Sequence, residues 1–202
     1  MTKKATTQQN RGIATREAII AGALELIGSV GLAELNHRSV AKTAKVSLAR
    51  TTYYFESRDD IIVAAQSRLA ELDAKRFAAA VDKIGVRTAT REGVIRAAME
   101  VLLADLGAHR PQTTAYLELG LEAARSSAAQ QLFDTMFSHR LDYFRRLFEC
   151  AGISDPEERA RIYLSCYLGL VLQELSCSNK IPDVSSTEHR MAAYLDMALR
   201  LD

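Results

Sequence analysis

The chain alternates apolar and polar positions with the period of an α-helix along nearly its whole length. Ile20, Leu24 and Ile27 recur at spacings of four and three, and such spacing puts them on one helical face. This predicts a first helix from about Arg16 to Val30, capped at Thr15 and stopped at Gly31, after a disordered start of about ten residues. Val40, Ala41 and Ala44 give a small apolar face to a short second helix from His37 to Ala44, with Asn36 as its N-cap. Only Lys45 and Val46 separate it from a third short helix, Leu48 to Tyr54, which Ser47 is placed to cap. Ser57-Arg58-Asp59-Asp60 has the form of a capping box. It starts a long helix to about Ile84, with Ile61, Ile62, Ala65, Leu69, Leu72 and Phe77 inward.

Five more helices follow from the same pattern, over about 91–109, 111–125, 128–150, 156–178 and 187–201. Pro111 suits a first helical turn, and Gly152 with Asp155-Pro156-Glu157 separates the seventh helix from the eighth. No segment reads as a strong strand. The expected fold is all-α, about nine helices, with a three-helix N-terminal unit over 1–57 and a larger helical body over 58–202.

Composition agrees with this: 48% of residues are hydrophobic and 25% charged, with only 10 glycines and 3 prolines in 202 residues. No apolar run reaches the roughly 18–20 residues of a membrane span, and the polar N-terminus has no signal-peptide core, so a cytoplasmic protein is expected. Cys150, Cys166 and Cys177 show no metal or redox spacing. Cys166 and Cys177 share a helix face but lie roughly 16 Å apart by helix rise, too far to bridge within one chain. Bridging across two copies is a redox-sensor alternative. The four histidines are scattered, and no nucleophile elbow, phosphate loop or metal motif occurs, so neither an enzyme nor a bound cofactor is expected.

Charge changes the picture more. Residues 1–58 hold nine Lys/Arg against four acids, a net +5, and the remainder is −4. A basic front on an acidic body suits a polyanionic partner at one end. Two short helices across a tight turn are the outline of a helix-turn-helix, whose second helix offers its N-terminal residues to base edges in the major groove. In that geometry Ser47, Leu48, Ala49, Arg50 and Thr51 stand near bases. Arg50 can offer two parallel donors to guanine, and Leu48 and Ala49 can make only apolar contacts, such as with a thymine methyl. Tyr53 and Tyr54 can reach phosphates through their hydroxyls, and Phe55 turns inward. Arg58, at the start of the next helix, also suits a phosphate. Packing is the alternative for each tyrosine, with one in the core and one on DNA. For Arg50 it is simple solvation.

Residues 15–62 resemble the DNA-binding domain of the TetR family of bacterial transcriptional regulators. The resemblance rests on Ile20, Ala23, Leu24 and Gly31, then on Arg38, Val40, Ala41 and Ala44. Val46, Ser47, Tyr53, Phe55 and Ser57-Arg58 complete it without a gap. Glu118 to Arg125 also looks like a stretch seen in many members. Lys45 stands where the family usually has a turn glycine, Thr52 replaces its usual tyrosine, and Tyr54 its usual histidine. Leu48-Ala49 replaces a frequent Lys-Gly pair. The resemblance implies that Arg38, Ser47 to Tyr54 and Arg58 face double-stranded DNA, at a palindromic operator read by a homodimer, with a small-molecule effector that releases it.

The dimer is expected on 161–175, which is apolar nearly all round, and on the last helix. Its residues would be Tyr163, Leu164, Leu168, Val171, Leu175, Met191, Tyr194, Leu195 and Ala198. Burial of this helix at the centre of a single chain is the alternative. The effector pocket is expected among Met99, Leu103, Tyr116, Leu119, Phe137, Arg140, Phe144, Tyr167 and Gln173, with Glu118 and Glu122 as further charges. Plain core packing is the alternative for each.

Overall fold

The computed structural model describes residues 3–85, 90–125, 127–177 and 183–199. Over these the chain is helical, without a strand: α1 (Lys3–Ser29), α2 (His37–Thr43), α3 (Leu48–Tyr54), α4 (Arg58–Val81) and α5 (Arg91–Leu106), then α6 (Arg110–Ala123), α7 (Ser127–Cys150), α8 (Pro156–Cys177) and α9 (Val184–Leu199). The all-α reading and the order of nine helices hold among the described residues. The expected end of the last helix, at 200 and 201, lies outside them.

One boundary differs substantially. α1 begins at Lys3, so Thr15 is not a cap but lies inside the helix. Its hydroxyl donates to the Arg11 carbonyl one turn back, at 2.8 Å. A threonine in a helix interior satisfies its hydroxyl this way, and sequence alone does not separate the two uses.

The chain packs as two compact units. The first holds residues 1–71 and 111–133, and the second holds 72–110 and 134–202. α4 therefore contributes its first half to one unit and its second half to the other. The grouping does not follow the sequence division after residue 57. It places α6 with the three N-terminal helices.

In the first unit Ile19, Ile20, Ala23, Leu24 and Ile27 of α1 are buried, with Val40 and Ala41 of α2 and Phe55. Gly31 ends α1 at φ 110°, a conformation that only glycine adopts readily. Beyond it, the Leu32 N–H donates to Glu118 Oε2 of α6 at 2.6 Å. A side chain at Gly28 would collide with the Pro111 carbonyl, so α1 and α6 meet there backbone to backbone. In the second unit α5 packs against α8 and α9, and α8 against α9. Phe144 lies 5.1–5.3 Å from Tyr143, Tyr163 and Tyr167 between ring centres, an aromatic cluster that fills the space between α7 and α8.

Candidate nucleic-acid interface and effector cavity

The turn between α2 and α3 is built locally. Asn36 caps α2 by accepting from the Arg38 and Ser39 N–H groups, and Ser39 closes the capping box by accepting from the Asn36 N–H. Lys45 makes the turn at φ 54°. That conformation costs a non-glycine residue about 1–2 kcal/mol, and Lys45 pays it where a glycine would not. The Val46 N–H returns to the Ala41 carbonyl at 3.0 Å and fixes the exit direction toward α3.

α3 then divides by face. Ser47, Leu48, Ala49, Arg50, Thr52 and Tyr53 are exposed, and Tyr53 is 81% exposed. The Ser47 hydroxyl makes no cap hydrogen bond, contrary to expectation, so Ser47 begins the helix by backbone geometry alone. Among the described residues the Arg50 guanidinium bonds only to the Thr15 hydroxyl, at 3.3 Å, and the residue is exposed. The Thr52 hydroxyl donates to the Leu48 and Ala49 carbonyls of its own helix, which leaves its lone pairs outward. Arg38 of α2 is exposed on the same unit.

Of the expected DNA contacts, Thr51 faces inward, and Arg58 and Tyr54 are partly engaged within the chain. Thr51 is fully buried; its hydroxyl donates to the Leu48 carbonyl at 2.8 Å and lies 3.3 Å from the His37 carbonyl, tying α3 to α2. On a seven-residue helix at least one position per turn must face inward, and Thr51 is that position here. Arg58 is engaged through two of its three nitrogens, with its side chain 41% exposed. Its Nε donates to the Leu35 carbonyl at 3.0 Å and its Nη2 to the Leu32 carbonyl at 2.9 Å, which pins the loop after α1. Tyr54 is half-buried, with its hydroxyl beside Gly12 of α1, while its neighbour Tyr53 meets it edge-on at 5.1 Å and points to solvent. Neither tyrosine lies in the core: Tyr54 is half-buried and Tyr53 exposed. The early start of α1, which brings Gly12 alongside α3, is the reason for the partial burial of Tyr54. Phe55 is buried as expected, with the Arg16 guanidinium 5.3 Å from its ring.

Ser57 and Asp60 form the expected capping box. The Ser57 N–H donates to Asp60 Oδ2 at 2.9 Å and the Asp60 N–H to Ser57 Oγ at 3.1 Å. These bonds hold the Asp60 carboxyl below the usual carboxylate range. Lys42 and Lys45, both exposed at the turn, extend the basic surface. Their charge was visible in sequence, but no motif singled them out.

The second unit contains a cavity of about 460 Å³. It lies where the end of α4 meets α5, with Tyr143 of α7 completing the wall. None of the nine residues expected to line an effector pocket lines it. Arg140, Phe144, Tyr167 and Met99 are buried in packed core, and Tyr116 and Leu119 are buried in the first unit. Phe137 is half-buried, and Leu103 and Gln173 are exposed. The sequence expectation chose large side chains, and large side chains fill space. The cavity forms where small ones face each other: Ala79 and Ala80 on α4, and Gly93, Ala97 and Ala104 on α5. A small-residue spacing of four or so on α5 was the available signal.

Arg140 is instead the centre of a buried ionic network. Its Nη1 donates to Asp105 Oδ2 and its Nη2 to Asp73 Oδ2, both at 3.1 Å, and the Tyr167 hydroxyl donates to Asp105 Oδ2 at 2.9 Å. Arg76 joins from α4, pairing with Asp105 and lying 3.4 Å from Asp73. Two carboxylates face two guanidiniums, so the cluster is neutral in sum, the condition under which buried charge is tolerable. Burial pushes the Asp105 carboxyl up, but the attraction of Arg140 and Arg76 outweighs it and holds the group below its ordinary value. Burial and the Asp105 charge push the Tyr167 phenol far above its ordinary range, so Tyr167 is a permanent donor.

Six of the nine residues expected at a dimer interface are covered within their own chain: Tyr163, Leu164, Val171, Met191, Leu195 and Ala198. Leu168, Leu175 and Tyr194 are half-buried. A fully covered side chain has no surface to give a partner, and these six are where α8 and α9 meet their own unit. The accessible side of α8 carries Ser165, Gly169, Leu172, Gln173 and Ser176, and that of α9 carries Ala193 and Met197. Cys150 and Cys166 are half-buried, and burial pushes the Cys166 thiol up. The Cys177 side chain lies outside the described residues.

No group of three or more metal-ligating side chains occurs among the described residues, and no helix there is long and apolar enough to cross a membrane. Residues 89–201 match a family model described as the tetracyclin repressor-like C-terminal domain. No curated protein matches the sequence. Among solved structures, the multidrug binding protein EbrR complexed with ethidium is 26% identical, over 93% of this chain and 99% of that one, with a TM-score of 0.66. A TetR-family member from Streptomyces coelicolor A3 is also 26% identical, over 93% and 99%, with a TM-score of 0.65. A protein from Saccharomonospora viridis, described as a transcriptional regulator and solved with choline, shares the fold at 20% identity and a TM-score of 0.75, over 90% and 95%.

Proposed function

Because the chain belongs to the TetR family of transcriptional regulators, whose C-terminal domain model covers residues 89–201, we propose that it is a homodimeric repressor released from DNA by a small molecule. The observation that carries this reading is the outer face of α3. Six adjacent positions, Ser47 to Arg50 with Thr52 and Tyr53, are exposed on a helix whose inner side is locked by Thr51. Arg50 contacts the Thr15 hydroxyl and Tyr53 meets the Tyr54 ring, and both side chains are otherwise exposed.

In this reading α3 enters the major groove. Arg50 reads a base edge, Leu48 and Ala49 select by apolar contact, and Ser47, Thr52, Tyr53 and Arg38 hold phosphates. Two such heads read half-sites about 34–36 Å apart, or a multiple of that. The second copy docks on the accessible faces of α8 and α9, around Leu172, Gly169 and Met197, not on the six covered residues. The effector occupies the cavity beside α4. α4 belongs to both compact units, so a ligand that favours one setting of its second half biases the first. EbrR solved with ethidium and the Saccharomonospora viridis protein solved with choline support a small-molecule role for this domain type.

Selection of bound fragments from genomic DNA, followed by anisotropy titration at two salt concentrations, tests the DNA reading. An inverted repeat whose affinity falls steeply with salt is expected. Absence of binding, or binding indifferent to salt, would remove it. Light scattering that finds a monomer would remove the two-headed model.

A further inference from the structure

The charge of the cavity wall differs from what a cationic ligand needs. Basic side chains come from Arg76, Lys83 and Arg96, and the acid from Glu100 alone. Arg76 is balanced by Asp73 and Asp105 in the buried network. Lys83 and Arg96 are exposed and make no ion pair among the described residues. Against Glu100 they leave the mouth of the cavity with net positive charge. His109 lines the same wall.

The aromatic surface points the same way. Ligand cations are commonly held on aromatic faces. Phe77, the aromatic residue that α4 supplies to the cavity, already carries two cations of the protein, with the Arg76 guanidinium 4.7 Å and the Arg140 guanidinium 5.0 Å from its ring centre. Tyr143 packs against the rings of Phe77 and Phe144, at 5.8 and 5.1 Å between centres, and its hydroxyl donates to the Ala97 carbonyl. The remaining wall is small and apolar, from Ala80, Ala97, Val101 and Ala104. A volume of about 460 Å³ is within the range of small-molecule sites, about 300–1,000 Å³.

We propose that the effector of this cavity is an amphipathic organic anion, with a carboxylate or similar group held by Arg96 and Lys83 at the mouth and an apolar body lying on the alanine-lined wall. The proposal rests on the reading of the protein as a ligand-responsive regulator. Arg76 gives the anion a route to α4. It is the one residue that both lines the cavity and joins the buried network, so negative charge entering the cavity draws on the guanidinium that Asp73 and Asp105 share.

The test compares two probes with the same apolar chain and opposite charge, octanoate and octyltrimethylammonium, by isothermal titration calorimetry on the full chain without DNA. Octanoate binding roughly tenfold tighter than the cation is expected, the effect of two exposed ion pairs and the absent repulsion. In Lys83→Glu/Arg96→Glu the octanoate preference reverses. Both positions are exposed, and circular dichroism verifies that the variant folds. Equal or tighter binding of the cation, no octanoate binding, or octanoate binding unchanged in the double variant would each overturn the proposal. The two readings separate cleanly. Protein that prefers octanoate but binds no DNA keeps the ligand class and loses the regulator. Protein that binds DNA but prefers the cation does the reverse.

Discussion

Arg50 and Arg140 are the same side chain in opposite circumstances. Arg50 stands on a short helix with one weak contact and its donors in water. Arg140 is 1% exposed and holds two carboxylates. From sequence both were site residues, one for DNA and one for an effector. The difference lies in what surrounds them. A seven-residue helix with one buried threonine cannot enclose an arginine. A 24-residue helix packed among α4, α5 and α8 can enclose one completely, provided that acids arrive from two of those helices. An arginine is therefore read as a contact or as a structural keystone by its helix's neighbours, not by its own pattern.

The comparison is sharpest where a substitution should hit one region and spare the other. The largest effect is expected for Arg140→Ala. It strands Asp73 and Asp105, and loss of one partner from a buried pair costs about 3–5 kcal/mol. Urea unfolding measures it, and a loss below about 1 kcal/mol would break the keystone reading. Arg50→Ala should leave stability within about 0.5 kcal/mol and weaken operator binding by about 1–3 kcal/mol. A fall in stability instead would mean that Arg50 is a packing residue.

Acid should act on the second region next. Asp105 titrates below its ordinary value when folded, so its pairing stabilises the protein above the unfolded aspartate pKa of about 3.9 and is lost as pH falls through the lower folded value. Asp60 and Asp142 are shifted the same way and add to the effect. Unfolding curves between about pH 5 and pH 2 should show stability falling over that window, and less steeply in Asp105→Asn, whose baseline is lower. The smallest effect belongs to the turn. Lys45→Gly relieves a positive φ but makes the unfolded chain freer, for a net gain of about 0.5 kcal/mol by thermal melting. The same change removes a cation beside α3, so DNA affinity should fall slightly while stability rises.

Much of this was legible in the sequence because it is set locally. The bounds of α3, the Asn36 cap, the Ser57–Asp60 box, the Gly31 stop and the inward turn of Phe55 depend on neighbours within a few positions. The surroundings of Thr51, Arg58 and Tyr54 are less legible because their partners arrive from elsewhere: His37 from α2, the loop at 32–35, and Gly12 on the early extension of α1. The coverage of α8 and α9 is hard to read for a related reason. An apolar position reports that it will be covered, and not by which chain. The cavity is not legible in the sequence because absence of volume is not a feature that any one residue carries.

Apart from Tyr143, every residue lining the cavity lies between Arg76 and His109. Almost the whole wall is thus written in one short stretch of coding sequence, distinct from the stretch that encodes α2, the Lys45 turn and α3. A single crossover, or one synthetic cassette, could exchange the lining of this cavity while the residues of α2 and α3 stay as they were.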